Sequence, residues 1–128
     1  MKHEELTHKI IGCAYKVFNE LGIGFLESVY QKAIIIELSK NGLKYEVEKP
    51  LKVYYANQVI GDFYVDLLID DTVIVELKSI ENITKQHEVQ LVNYLSGTKK
   101  DIGLLINFGL TGVEVKRKYR LRQDQQDI

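Results

Sequence analysis

Between Glu4 and Leu21 the apolar positions are Leu6, Ile10, Cys13, Ala14, Val17, Phe18 and Leu21. Steps of three and four predict a helix with one broad apolar face. Gly22 and Gly24 end it. A second helix is predicted over Leu26–Asn41, through Val29, Tyr30, Ala33, Ile34, Ile36 and Leu38, with Asn41-Gly42 as its exit. The period then changes to two. Lys44–Tyr55 reads as a strand, edge or irregular at Pro50, because proline has no amide to donate. Val59–Ile69 and Val73–Lys78 read as two more strands, joined by Asp70-Asp71-Thr72. Helical spacing returns over Lys85–Leu95 and ends near Gly97. Ile102–Phe108 is apolar enough for a strand buried on both faces, and Val113–Tyr119 suits one more. The polar tail from about residue 120 reads as frayed. Helix, helix, a meander of strands, then helix and strand predict a mixed sheet with helices packed on it, in the order ααβββαβ(β).

The charges on these strands raise a question. In IVELKS, Glu76 and Lys78 interrupt an apolar strand. Strand side chains alternate between faces. Val73, Val75 and Leu77 therefore share one face and Ile74, Glu76 and Lys78 the other. Matching apolar rows sets Ile69 opposite Val73, Leu67 opposite Val75 and Val65 opposite Leu77, around a three-residue loop. The same register sets Asp66 opposite Glu76 and Tyr64 opposite Lys78. Opposed like charges weaken a sheet. A two-residue loop would part them but would throw the apolar rows onto opposite faces, and burial of several aliphatic side chains outweighs one repulsion. A divalent cation would turn that repulsion into coordination, and carboxylates with open water positions suit magnesium or manganese. An E-x-K tripeptide alone marks a solvated strand face just as well.

Other polar residues fall in helical rows. Glu27 opens the second helix with Tyr30 three residues on, a placement the helix dipole also explains. Gln90 and Tyr94 are aligned four apart on the third helix, with His87 three before Gln90. His3, His8 and His87 share no metal-ligand spacing and read as structural or exposed. No phosphate-binding glycine loop, dinucleotide fingerprint or nucleophile elbow is present.

Composition narrows the classes. The chain has 128 residues, 17 basic and 18 acidic, for a net charge of −1. One domain over residues 1–128 is expected at that length. Binding driven by bulk positive charge is excluded, so contact with a polyanion needs a local patch or a bound cation. Cys13 is alone, which excludes an internal disulfide and suits a small buried thiol. No apolar run approaches the length of a membrane span, and the first residues, MKHEELTHK, lack a signal peptide's apolar core. A soluble, reducing, cytoplasmic setting is expected.

Taken together, LGIGFLESVY with Gly24, Glu27 and Tyr30, then YVDLLID, IVELKS and QLVNY, resemble the GxxExxY proteins. These are a small-domain branch of the PD-(D/E)xK nuclease superfamily, and the match runs from about Glu4 to Tyr119. The resemblance implies a restriction-endonuclease-like core with its site at one sheet edge. It makes Glu27 the helix-borne acid, Asp66 the acid of the "PD" position, and Glu76 and Lys78 the E-x-K pair. Gln90 and Tyr94 match the Q-x-x-x-Y motif of RecB-like nucleases. Val65 stands where the superfamily name has proline. The function implied is hydrolysis of nucleic-acid phosphodiesters, DNA before RNA. Glu27, Asp66, Glu76 and the Leu77 carbonyl would hold Mg²⁺ or Mn²⁺, with Lys85, Lys99, Lys100 and the Lys116–Arg122 stretch guiding the strand. The alternative is a non-catalytic module for nucleic acid or protein on the same fold. A homodimer or protein partner fits either.

Overall fold

The computed structural model describes residues 3–121. The polar tail beyond Leu121 lies outside them. Helix α1 (Glu4–Leu21) buries Ile10, Cys13, Ala14 and Val17 along one stripe. It stops at Gly22, whose left-handed φ of 74° suits glycine. Helix α2 (Glu27–Lys40) follows, burying Tyr30, Ile34 and Leu38. Strands β1 (Tyr45–Tyr55), β2 (Gln58–Ile69) and β3 (Val73–Lys78) then run as an antiparallel meander. Helix α3 (Lys85–Thr98) crosses to β4 (Ile102–Phe108), which lies parallel to β3, and β5 (Val113–Tyr119) closes the sheet antiparallel to β4. The strand order is β1-β2-β3-β4-β5, so β1 is an edge, as Pro50 requires.

Two apolar layers hold the sheet. Helices α1 and α2 pack with Leu67, Ile69, Val73, Val75, Leu77, Ile102, Leu104 and Ile106. Helix α3 packs on the other face with Val65, Leu68, Ile74 and Leu105. All seven residues of β4 are buried, as expected of a strand covered on both sides. Gly103 lets α3 approach: a Cβ there would stand 2.8 Å from a methyl of buried Leu91. Gly103→Ala is therefore expected to overpack this layer and cost about 1–3 kcal/mol. A denaturant midpoint equal to that of wild type would refute this.

Helix α3 ends near Gly97 as expected, with Thr98 its last residue and Lys99 its cap at φ 65°. A Cβ at Gly97 would meet Val53 at 3.1 Å, so this glycine also serves close packing against β1. Two expectations need correction. First, the β2–β3 register holds only in part. Ile69↔Val73 and Leu67↔Val75 pair as the apolar rows demand. The ladder then ends, and Val65↔Leu77, Asp66↔Glu76 and Tyr64↔Lys78 do not form. Second, β2 changes phase where the ladder ends. Leu67 and Ile69 face α1 and α2, whereas Phe63 and Val65 face α3. In β1, Glu48 adopts φ 51° between the pairs Val47↔Leu67 and Lys49↔Val65. The cause is a substitution of side chain for backbone. The amide of Leu77 donates to Asp66 Oδ2 at 2.7 Å, and the amide of Asp66 donates to Glu76 Oε1 at 3.4 Å. Beyond this fork, β1 and β2 continue as a two-stranded arm.

Candidate active site at the strand fork

The fork brings Asp66, Glu76 and Lys78 together. Alternation along β3 puts Glu76 and Lys78 on the α3 side, since Val73, Val75 and Leu77 belong to the opposite core. Asp66 sits at the phase change in β2, half-buried like Glu76 and Lys78. Both carboxyls are pushed up from their ordinary values. For Glu76 the value rises from 4.5 to about 8, first because burial penalises its charge and next because Asp66 is close. For Asp66 burial is again the largest cause, opposed by the Leu77 amide and reinforced by Glu48 and Glu27. The Lys78 ammonium pulls both acids down. Two acids this close titrate as a pair.

Helix α3 supplies the next residues. Tyr94 stacks on Phe63 with ring centroids 3.9 Å apart, and Gln90 lies one helical turn before it on α3. Burial, then the charges of Glu76 and Asp66, push the Tyr94 hydroxyl up, so it stays protonated beside the pair. Gln90 is exposed at the rim. His87 is structural: its ring nitrogen accepts from the Thr84 amide at 3.1 Å while Thr84 Oγ1 accepts from the His87 amide at 3.3 Å. This reciprocal cap fixes the start of the helix.

On the α2 side, Glu27 and Ser28 share a cleft of about 240 Å³ with Gln31, Glu48, Asp66 and Leu77. Gln31 donates to the Asp66 carbonyl at 3.1 Å. Glu27 is exposed at the first residue of α2, and Tyr30 sets its position. The fully buried Tyr30 ring stacks on Phe108 at 4.2 Å, and its hydroxyl donates to the Gly22 carbonyl at 2.6 Å. The glycine, acid and tyrosine of this motif therefore form a latched turn. Ser79 ties the same turn to the end of β3 by donating to the Phe25 carbonyl at 2.6 Å. Tyr30→Phe is expected to keep the fold, cost on the order of 1–3 kcal/mol through the unpaired Gly22 carbonyl, and loosen Glu27. A melting temperature equal to that of wild type would contradict the latch.

The donor chemistry fits a hard divalent cation, for it is all carboxylate and carbonyl oxygen. Among the described residues no group of three or more histidine, cysteine, aspartate or glutamate side chains surrounds a single point. Glu27 and Asp66 line one cleft, Asp66 and Glu76 form the coupled pair, and the three do not close into one cage.

Sequence reasoning missed four contributors. Gln31 carried a signal, lying four residues after Glu27 on the same helical row. Glu48 carried none, since it alternates with Glu46 like any solvated strand acid. Buried Asn107 holds the segment after β3, accepting from the Ile80 amide at 2.9 Å and donating to the Ile80 carbonyl at 3.0 Å. Glu114 accepts from Asn107 at 3.2 Å and from the Ile83 amide at 3.0 Å. Several basic residues expected to guide a strand are engaged elsewhere. Lys100 bonds Asp71 at 3.1 Å, Lys118 bonds Glu88 at 2.6 Å and Arg120 bonds Asp101 at 2.9 Å.

A model of the PD-(D/E)XK nuclease superfamily matches residues 4–118. The chain belongs to that superfamily. Among solved structures it is similar to the crystal structure of SSO0001, at 16% identity and a TM-score of 0.54, over 78% of this chain and 53% of that one. The chain thus spans about half the length of that protein, and the likeness is one of fold. No curated protein matches it. The five-stranded mixed sheet with three helices, in the order ααβββαββ, is consistent with a restriction-endonuclease-like fold. No helix among the described residues is long and apolar enough to cross a membrane.

Proposed function

We propose that this chain is a metal-dependent nuclease that hydrolyses nucleic-acid phosphodiesters, DNA before RNA, in the GxxExxY branch of the superfamily. One observation carries this: where a sheet opens, the Asp66 and Glu76 carboxylates each take the other strand's backbone amide and so lie side by side, next to Lys78. Without a cation such a pair is costly to keep; with one it becomes a binding site. Asp66, Glu76 and the Leu77 carbonyl would hold Mg²⁺ or Mn²⁺, with Glu27 completing the set directly or through water. Bound there, the cation would polarise a phosphate oxygen and lower the pKa of a water.

The chain's own groups do the rest. Lys78 shares the Glu76 face and sets its ammonium against the attacking water or the charge developing on the phosphate. Tyr94, kept protonated, offers a donor at the rim, and Gln90, one turn before it, orients the phosphate. Gln31 holds the Asp66 backbone while the Leu77 amide fixes its carboxylate. The test is cleavage of labelled single- and double-stranded DNA and RNA with Mg²⁺ or Mn²⁺, in wild type and in Glu76→Ala. Activity that vanishes in the variant supports the assignment; equal activity marks a contaminant.

A second reading draws on the open ligand set: a module that binds nucleic acid or protein without cleaving. It predicts nucleic-acid binding that survives Asp66→Ala, with no cleavage by wild type.

A further inference from the structure

Past the fork, the β1–β2 arm has one covered face and one open face. Leu51 and Phe63 pack toward α3, and Val53 lies against Gly97. By alternation, Pro50, Lys52 and Tyr54 of β1 lie on the other side, with Tyr64 opposite Pro50 and Asp62 opposite Lys52. Helices α1 and α2 do not reach this surface: Tyr64 is 65% exposed and Tyr54 59%. The surface borders the Asp66 cleft of the candidate site, on the side of the sheet away from Glu76 and Lys78. Tyr64 stands two residues from Asp66, and Pro50 two residues from Glu48, which lines the Asp66 cleft.

We propose that this open face is a stacking platform for an unpaired nucleic-acid strand that leaves the Asp66–Glu76 site along the arm. The substrate class is then single-stranded or frayed nucleic acid. The inference rests on the nuclease reading above.

Its chemistry favours base faces over phosphates. Lys49 is held by Glu46 at 3.1 Å, and Lys52 stands across from Asp62, so the arm offers little net positive charge to a duplex backbone. Exposed tyrosine rings bind any base through its π-face, and only an unpaired or terminal base has that face free. The levels of Tyr64 and Tyr54 are four β1 residues apart, or about 13 Å at about 3.3 Å per residue. That is several times the roughly 3.4 Å step of a duplex strand, so bases on the two rings belong to an extended strand.

The test uses the full chain carrying Lys78→Ala, which keeps the carboxylates that would hold Mg²⁺ but slows cleavage, with Mg²⁺ present. Fluorescence anisotropy measures binding of an oligothymidine of about 12 nucleotides and of a blunt duplex of about 12 base pairs. Adding Tyr54→Ala and Tyr64→Ala should raise the oligothymidine Kd about ten-fold or more and leave duplex binding unchanged. Adding Tyr54→Phe and Tyr64→Phe instead should retain the parent affinity, since the ring is kept. Both side chains are surface-exposed, and an unchanged melting temperature verifies the fold. An unchanged oligothymidine Kd in the alanine variant, or equal loss for the duplex, overturns the platform alone. So does a dimer-to-monomer change in light scattering with single-strand affinity intact, which would assign the face to a second copy. If the parent binds neither nucleic acid, the nuclease reading falls and the platform with it.

Discussion

Glu76→Gln should make the metal-free protein more stable at pH 8 while abolishing cleavage. The first effect follows from linkage. In the folded chain the Asp66–Glu76 pair keeps a proton that the unfolded chain loses near 4.5, because Glu76 is raised to about 8. Between those values the unfolded state binds fewer protons, so folding stability falls as pH rises. A displacement of that size is worth on the order of a few kcal/mol, spread over the window. Glutamine removes the Glu76 titration and keeps the shape, so in chelator the variant's stability should fall less from pH 5 to 8 than that of wild type. Its melting temperature at pH 8 should exceed that of wild type. Mg²⁺ or Mn²⁺ should stabilise wild type increasingly over the same range, because the cation displaces that proton, and should leave the variant unmoved. Parallel melting curves across pH for both proteins would contradict the coupled pair.

The second large effect separates binding from chemistry. Lys78→Ala removes a positive charge that faces Asp66 and Glu76 but supplies no metal ligand. Cation affinity should stay within about ten-fold, whereas cleavage should fall by about two to four orders of magnitude, the range for a group that assists proton transfer. Steady-state cleavage and a Mn²⁺ titration on the same preparation check both halves. Joint loss of binding and activity would make Lys78 a structural prop.

What the sequence revealed, and where it stopped, follows from which forces are local. Helical spacing in α1 and α2 and the apolar run of β4 are local patterns, and they fold as read. The Ile69↔Val73 and Leu67↔Val75 pairs were legible because burial dictates them. The fork was not. Strict alternation assumes that each rung is backbone to backbone, and at Asp66 a carboxylate takes the Leu77 amide instead. That exchange carries Val65 to the opposite core and Tyr64 onto the open face of the arm. Gly97 marked the end of α3 to within one residue, as glycine's preference for helix ends suggests, but its close approach to Val53 is non-local and left no sign. Tyr30 looked like a neighbour of Glu27, but its bond to Gly22 depends on a ring buried beneath the turn. Glu48 gave no sign, because a bend opposite a phase change leaves no mark in a strand's composition.

The most direct measurement is calorimetric titration of Mn²⁺ into the metal-free protein at pH 7, in two buffers of different ionisation enthalpy. The account predicts saturable binding with release of close to one proton per ion, lost in both Asp66→Asn and Glu76→Gln. No binding by wild type, or binding of equal strength in the two variants with no proton released, would contradict it.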